Sequence, residues 1–178
     1  MPTEIVFETH STSEDNENGY ATGWLPGKLS ALGRQQAGEL GKRRRNDGIT
    51  AVFSSDLGRA VETATIAFPR GPEIFFDWRL RECDYGALNG RPAVEIHRDR
   101  AYRVNTPYPG GESWRQAVGR VGRFLDDVPM RWSNTRILVI GHVATRWALE
   151  HLLNGTSLEN LVLAEFEWRE GWEYLLRS

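Results

Sequence analysis

The sequence has little of several features that mark particular classes of protein. Only one of its 178 residues, Cys83, is a cysteine, which excludes an internal disulfide and is consistent with a reducing compartment. No apolar run is long enough to span a bilayer, and no apolar segment after the N-terminus resembles a signal peptide. The net charge of −2 favours neither nucleic acid nor an acidic membrane surface as a partner. We therefore expect a cytoplasmic protein with a single domain over residues 1–178.

The spacings by which metal sites are recognised are also missing. The sequence contains no His-x-Glu, His-Glu-x-x-His or Cys-x-x-Cys pattern. Glu14 and Asp15 follow His10, but nothing in the sequence fixes a coordination geometry around them. We expect neither a metal nor another cofactor.

Apolar runs that suit buried strands alternate with helical patterns along the chain. This alternation predicts an α/β fold, a three-layer α/β/α sandwich whose mainly parallel sheet has an antiparallel edge strand. Four strands are predicted over 4–8, 49–53, 73–76 and 137–140. Helices are predicted over 30–44, 54–68, 93–103, 112–132 and 143–153, and a hairpin at the sheet edge is predicted from 162–168 and 172–176.

Two histidines each follow one of these apolar runs. Residues 4–7 lead to His10, and residues 137–140 lead to His142. Ligands of open α/β sheets bind outside the carboxyl ends of the strands, so two neighbouring strands would direct both imidazoles into one crevice. Two histidines there suit phosphoryl chemistry, metal binding or acid–base catalysis.

Phosphoryl transfer accounts for more of the surrounding residues than the other two chemistries. It needs a neutral imidazole nitrogen aimed at phosphorus, cationic or N–H donors around the oxygens, and an acid for the leaving group. Arg59 lies near the start of a predicted helix, and its guanidinium fork suits phosphate oxygens. The helices that follow residue 54 and His142 also present N-termini that favour an anion.

Six motifs occur in a fixed order along nearly the whole chain. His10 is followed by Ser13 three residues later and by Asn16 six residues later. The other five are LSALGRQQA at 29–37, SSDLGRAVETA at 54–64, LRECDYG at 80–86, PGGES at 109–113 and Gly141-His142. In this order they resemble the histidine phosphatase superfamily, which includes the cofactor-dependent phosphoglycerate mutases.

The resemblance implies a role for each matching residue. It implies that His10 is the nucleophile that becomes phosphohistidine, without a metal, and that Glu82 is the proton donor, with Asp84 and Glu62 as competing carboxylates. Arg59 and His142 complete the catalytic set that it implies. The residues expected to bind phosphate or substrate are Asn16, Ser13, Thr22, Gly23 and Ala144, of which Thr22 and Gly23 resemble the substrate loop of the mutase branch.

Two departures from the family pattern bear on activity. The family has Arg-His-Gly at the nucleophile, whereas this chain has Thr9-His10-Ser11. Thr9 offers one neutral hydroxyl in place of a five-donor cation, and the candidate substitutes are Arg81, Arg91 and Arg146. Val143 and Ala144 also replace the glycine that usually follows the second histidine, although Ala144 keeps its backbone N–H.

These observations predict hydrolysis of a small phosphorylated metabolite through phosphohistidine, with best activity at mildly acidic pH. A mutase and a non-catalytic module that binds phosphorylated ligands remain the alternatives, the latter because of Thr9. The segment 98–103 is a candidate site for a second anionic group of the substrate, while His97 and His151 are expected to be surface or packing residues. The sequence leaves open whether the chain forms a homodimer.

Overall fold

A five-stranded sheet forms the centre of the structure, a computed structural model that describes residues 1–177. The strands of this sheet are β1 (Thr3–Thr9), β3 (Ile49–Ser54), β4 (Ile74–Phe76), β6 (Arg136–Gly141) and β7 (Trp172–Leu176). They lie in the order β4-β3-β6-β1-β7, and only β7 is antiparallel to its neighbour. A separate pair joins β2 (Tyr20–Ala21) to β5 (Arg91–Pro92).

Helices cover both faces of the sheet. The helices are α1 (Glu14–Asn18), α2 (Ala31–Arg44), α3 (Gly58–Ala67), α4 (Ala93–Asp99), α5 (Trp114–Asp127), α6 (Pro129–Trp132), α7 (Val143–Asn154) and α8 (Leu158–Leu163), with short 3₁₀ turns at Trp78–Leu80, Gly86–Leu88 and Tyr102–Val104. Alternate strand residues explain the layering, because successive side chains point to opposite faces. On one face Phe7 and Val139 pack with Phe124 of α5, and on the other Val6 and Leu138 pack with α2 and α3. The predicted three-layer α/β/α fold with an antiparallel edge strand is confirmed.

Three predicted helices have different bounds in the structure. The helix predicted from residue 54 begins at Gly58, because Ser55 first continues the strand pairing and then accepts a hydrogen bond from the N–H of Leu57. The helix predicted over 112–132 is divided into α5 and α6 at Pro129, which has no N–H to donate. The helix predicted over 93–103 ends at Asp99.

The predicted edge hairpin of 162–168 with 172–176 is wrong. Ser157 caps α8 by accepting a hydrogen bond from the N–H of Asn160, and Leu158, Leu161 and Val162 are buried at helical spacing. Residues 164–171 form no strand, and β7 pairs instead with β1. The apolar run near 162 therefore belongs to a helix.

A buried carboxylate on β1 connects the sheet to the end of α2. Glu8 has a side chain only 2% exposed, and it accepts hydrogen bonds from Arg43 Nη2 at 3.1 Å and Arg44 Nε at 2.9 Å. Arg44 also donates to the carbonyl of Glu170 in the irregular 164–171 segment. The two arginines thus hold a specific buried anion as well as lying at the carboxyl end of a helix.

Among the helices formed by residues 1–177, none combines the length and the apolar character needed to cross a membrane.

We expect Glu8→Ala to lower the free energy of unfolding by about 3 kcal/mol, because removal of this carboxylate leaves Arg43 without its counter-ion and Arg44 with Asp47 alone. The control is Glu4→Ala on the same strand: Glu4 pairs with Arg136, but its side chain is 56% exposed. That exposed pair should contribute no more than about 1 kcal/mol. Urea denaturation at pH 7 measures both, and equal losses for the two variants would contradict the importance of burial.

Candidate active site

The two histidines meet because their strands are neighbours. β1 and β6 pair in parallel with Thr9 opposite Gly141, and His10 N–H donates to the carbonyl of Gly141 at 2.9 Å. The two imidazole rings lie with their centroids 4.9 Å apart. The expectation that both imidazoles face one crevice is confirmed.

Both rings line a cavity of about 630 Å³, which we call the histidine cavity. Its wall is formed by residues of the β1 end (Glu8, Thr9, Ser11, Thr12), the α1–β2 region (Asn16, Gly19–Gly23), α2 (Gln36, Glu39, Leu40, Arg43), α4 and the residue that follows it (Ala93, His97, Arg100) and the segment 164–171 (Phe166, Trp168, Glu170), together with Arg59, Glu82, Tyr85 and Val143. Elements from distant parts of the sequence therefore contribute to one pocket.

The hydrogen bonds of His10 identify the tautomer of its ring. Nδ1 lies 2.7 Å from the carbonyl oxygen of Ser11, and a carbonyl can only accept, so Nδ1 carries the proton. Nε2 then presents a lone pair, towards which Arg59 Nε donates at 3.3 Å. Burial, and secondly the charge of Arg59, lower the pKa of His10 to about 3. The ring is therefore neutral at neutral pH and presents the Nε2 lone pair to the cavity.

Arg59 is a buried cation that lies between the two histidines. It is 2% exposed, and besides His10 it donates through Nη2 to His142 Nδ1 at 3.2 Å. Its other N–H groups donate to the carbonyls of Gly23, Leu25 and Pro26. Burial lowers the pKa of Arg59, but a guanidinium stays protonated in proteins. No carboxylate within residues 1–177 forms an ion pair with it, so its charge is available to an anionic ligand.

His142 presents an unused donor to the same cavity. Because Nδ1 accepts from Arg59, the proton of the neutral ring lies on Nε2. Nε2 is buried and has no hydrogen-bond partner in the described part of the chain. Burial, followed by the charge of Arg59, holds the pKa of His142 well below its usual value. A buried N–H without an acceptor is uncommon, and an anion in the cavity would satisfy it.

Glu82 is held at the cavity by backbone groups. Its Oε1 accepts from the N–H of Cys83 at 2.9 Å and from the N–H of Ala144 at 3.0 Å. None of the hydrogen bonds within residues 1–177 involves Oε2. Of the competing carboxylates, Asp84 accepts from Gly86 and Asn89 and lies off the cavity wall. Glu62, the third candidate, pairs with Arg34 and is likewise absent from the wall.

Some of the predicted phosphate-binding residues line the cavity, and others only stabilise the residues that line it. Asn16 lines the cavity, and its Oδ1 accepts from the N–H of Ser13, which leaves the amide NH₂ as a donor. Thr22 lines it too, while donating to Asp15. Ser13 is buried and caps α1 through the N–H of Asn16, and it does not line the cavity. The predicted contact of Ser13 with phosphate is therefore replaced by a capping contact.

Gly23 and Ala144 also act on neighbouring side chains. The Gly23 carbonyl accepts from Arg59 at 2.9 Å, and a Cβ at this position (φ +56°) would overlap Asn89 Oδ1. Ala144 does not line the cavity, because its N–H is turned to Glu82 and not to the open space. Ala144 thus orients the candidate acid, which the sequence pattern did not indicate.

The predicted substitutes for the missing arginine at position 9 lie elsewhere. Arg81 pairs with Asp56 at 2.7 Å, Arg91 with Glu95 at 3.1 Å and Arg146 with Glu150 at 3.1 Å, and none of the three arginines lines the cavity. Thr9 itself does line it. Ser11, the other residue of the first departure, has no left-handed backbone, and its N–H donates to Thr63 Oγ1.

Two arginines at the cavity wall lie outside the catalytic set predicted from the sequence. Arg43 is paired with Glu8, as described above. Arg100 forms no ion pair with any carboxylate of residues 1–177, its Nε is buried without a hydrogen-bond partner, and its guanidinium lies 5.2 Å from the ring centroid of Trp147. Its inclusion in the basic segment 98–103 was the only signal. His97, expected to be a surface or packing residue, lines the cavity beside it.

Together these groups form a candidate anion site. A neutral nitrogen lone pair, an unpaired guanidinium, a free imidazole N–H and a carboxyl oxygen converge on one cavity. Within residues 1–177 no group of three or more His, Cys, Asp or Glu side chains is placed to hold a metal ion.

Comparison with known proteins agrees with this arrangement. Residues 5–167 match the model of the histidine phosphatase superfamily (branch 1). A Hydrogenobacter thermophilus protein provisionally named phosphoserine phosphatase 2 is 34% identical, over 88% of this chain and 81% of its own. The Salmonella typhi protein named probable phosphoglycerate mutase GpmB is 32% identical, over 95% of this chain and 89% of its own. The solved structure of mycobacterial hydrolase 1 has the same fold, with a TM-score of 0.86, 22% identity and coverage of 98% and 91%.

The lowered pKa of His142 predicts how stability depends on pH. The unfolded chain takes up a proton at this histidine near pH 6.5 while the folded chain does not, so the free energy of unfolding falls as the pH drops below about 6.5. We expect His142→Gln to reduce that slope by about 1.4 kcal/mol per pH unit between pH 6.5 and 5. Urea denaturation in buffers without phosphate or sulfate measures this. Above pH 7.5 the curves of the two proteins should run parallel, and parallel curves at every pH would contradict a neutral buried His142.

Proposed function

The chain belongs to the histidine phosphatase superfamily, and from this premise we propose that it is a phosphomonoesterase that acts on a small phosphorylated metabolite through a phosphohistidine at His10. One observation carries the proposal: Arg59, which has no carboxylate partner among residues 1–177, lies between two neutral histidines with different functions. His10 offers the lone pair of Nε2, and His142 offers an Nε2–H that has no acceptor in the described chain. The relatives of the chain are named as phosphatases and mutases, which supports the same chemistry.

The proposed reaction has two steps. In the first, His10 Nε2 attacks phosphorus and forms the N–P bond, while the bond to the ester oxygen breaks and Glu82 gives that oxygen its proton. In the second, Glu82 accepts a proton from water, the resulting hydroxide attacks phosphorus, and the N–P bond breaks to release inorganic phosphate. Arg59, His142 and the amide of Asn16 stabilise the charge on the phosphoryl oxygens, so the scheme needs no metal.

A second anionic group on the substrate is the finer part of the proposal. Arg100 lines the histidine cavity as a cation without a carboxylate partner among residues 1–177, and a guanidinium fork matches a carboxylate or phosphate. The names of the two relatives refer to phosphoserine and phosphoglycerate, which each carry a carboxylate on the phosphorylated alcohol. We propose that a substrate of this kind uses Arg100 for its second charge.

The first prediction concerns turnover. Wild-type protein should release inorganic phosphate from O-phosphoserine or 3-phosphoglycerate and from 4-nitrophenyl phosphate, and His10→Ala should abolish the release. The replacement leaves the fold intact, because His10 is partly exposed to the cavity, and thermal unfolding serves as the control.

Two other outcomes would replace the proposal. Transfer of the phosphate between positions of phosphoglycerate without net release would identify a mutase, which the relationship to GpmB favours. Binding of phosphorylated compounds without turnover would identify a binding module. Its lack of catalytic activity would then be attributed to Thr9, since removal of one oxyanion donor costs about 100- to 1000-fold in rate.

The second prediction concerns Arg100. Arg100→Ala should lower kcat/KM for phosphoserine about tenfold or more, the value of one charge-assisted hydrogen bond, and leave that for 4-nitrophenyl phosphate within about threefold. The matched control is Arg98→Ala, since Arg98 lies two residues before Arg100, in the last turn of α4, with a side chain 76% exposed. An equal effect of Arg100→Ala on kcat/KM for both substrates would contradict a contact between Arg100 and a second anionic group.

A further inference from the structure

Glu82 lies in an irregular stretch whose backbone is held by side chains. It follows the 3₁₀ turn Trp78–Leu80, and the carbonyls of four consecutive residues, 79 to 82, each accept a hydrogen bond from a side chain. Thr145 Oγ1 donates to Leu80 at 2.8 Å, and the other three carbonyls accept from Arg120. The position of the candidate acid therefore depends on donors from α5 and α7.

Arg120 uses every N–H group of its guanidinium. Nη1 donates to the carbonyls of Arg79 and Arg81 at 2.8 Å each, and Nη2 donates to the carbonyl of Glu82 at 2.6 Å. The remaining two N–H groups, on Nε and Nη2, donate to the carboxylate of Glu112 at 2.8 and 2.9 Å. Since a guanidinium has five donors and Arg120 is 1% exposed, its geometry is fully determined by these contacts.

Glu112 and Trp24 complete the arrangement. Glu112 Oε2 also accepts from the N–H of Asp84 at 3.0 Å, so one carboxylate fixes Arg120 and the chain on the far side of Glu82. Trp24 Nε1 donates to the Glu82 carbonyl at 2.7 Å and thereby supplies that oxygen with a second hydrogen bond. The negative charge of Glu112 balances that of Arg120, so the pair acts on Glu82 through geometry more than through net charge.

We propose that Arg120, oriented by Glu112, is a positioning residue for the proton transfer by Glu82. The inference rests on the proposed function. Glu82 Oε1 is fixed by the N–H groups of Cys83 and Ala144, and Arg120 fixes the Glu82 backbone from which that carboxyl extends. Together they determine where Oε2 meets the leaving oxygen, and a general acid must lie within hydrogen-bond reach of that atom.

Leaving-group dependence separates this role from a merely structural one. 4-Nitrophenolate departs without a proton, whereas the alkoxide of phosphoserine needs one, so only the alkyl ester depends on the placement of Glu82. The measured quantity is kcat/KM, which reports the steps up to leaving-group departure, because the later hydrolysis of phosphohistidine uses Glu82 for both esters alike.

The test variants are Arg120→Lys, which keeps the charge and loses the fork, and Trp24→Phe, which keeps an aromatic ring and removes one donor to Glu82. We expect Arg120→Lys to lower kcat/KM for phosphoserine about 100-fold and that for 4-nitrophenyl phosphate less than about threefold, in the pattern of Glu82→Gln. Trp24→Phe should act in the same direction and more weakly. Arg115→Lys on the same helix is the control, because Arg115 forms an exposed pair with Glu159 and should leave both values unchanged.

Thermal unfolding of each variant shows that folded protein is compared. Equal losses for both esters, or no loss for either, would overturn the positioning role. If Arg120→Lys does not fold, the same comparison with Trp24→Phe decides. Absence of His10-dependent turnover in the wild type would instead remove the proposed function, and this inference with it.

Discussion

The site depends on the burial of Arg59 without a carboxylate partner. A buried charge is costly unless it is paired, and this one is held only by loop carbonyls and by two neutral imidazoles. Burial, and secondly the charge of Arg59, keep His10 and His142 unprotonated, which preserves a lone pair on one ring and leaves an N–H on the other facing the cavity. A phosphoryl group beside Arg59 would balance this charge, which is why we propose an anionic ligand for the site.

Glu82 is held by groups that together carry no net charge. Its carboxyl and its backbone are held by neutral N–H groups and by an arginine whose charge is already balanced by Glu112. Arg59 and Arg120 are both buried guanidiniums with every donor engaged, yet only Arg120 has a counter-ion. The difference separates a cation that can stabilise a ligand from one that stabilises the chain.

Thr9 leaves the cavity without a cation at this position, and none of the arginines predicted from the sequence replaces it. The residue lines the cavity where the family pattern has a cation, and the three arginines proposed from the sequence as substitutes are all paired elsewhere. Of the arginines in the described chain that line the cavity, Arg43 pairs with Glu8 and Arg59 lies between the two histidines. Arg100 does neither. We propose that this cation meets the part of a substrate beyond the phosphate.

The sequence by itself determined the layers of the fold, because apolar runs alternating with helical patterns are local signals, and it placed His10 and His142 after the ends of two strands. That these two strands are neighbours was decided by the folded sheet. It did not determine the helix at Leu158–Leu163, since a short apolar run fits a strand equally well. Only the tertiary structure decided that the Ala144 N–H serves Glu82, that Arg120 holds the Glu82 backbone, and that Arg100 is free. Those facts depend on which side chains compete for the same partners, and residues distant in sequence compete only once the chain is folded.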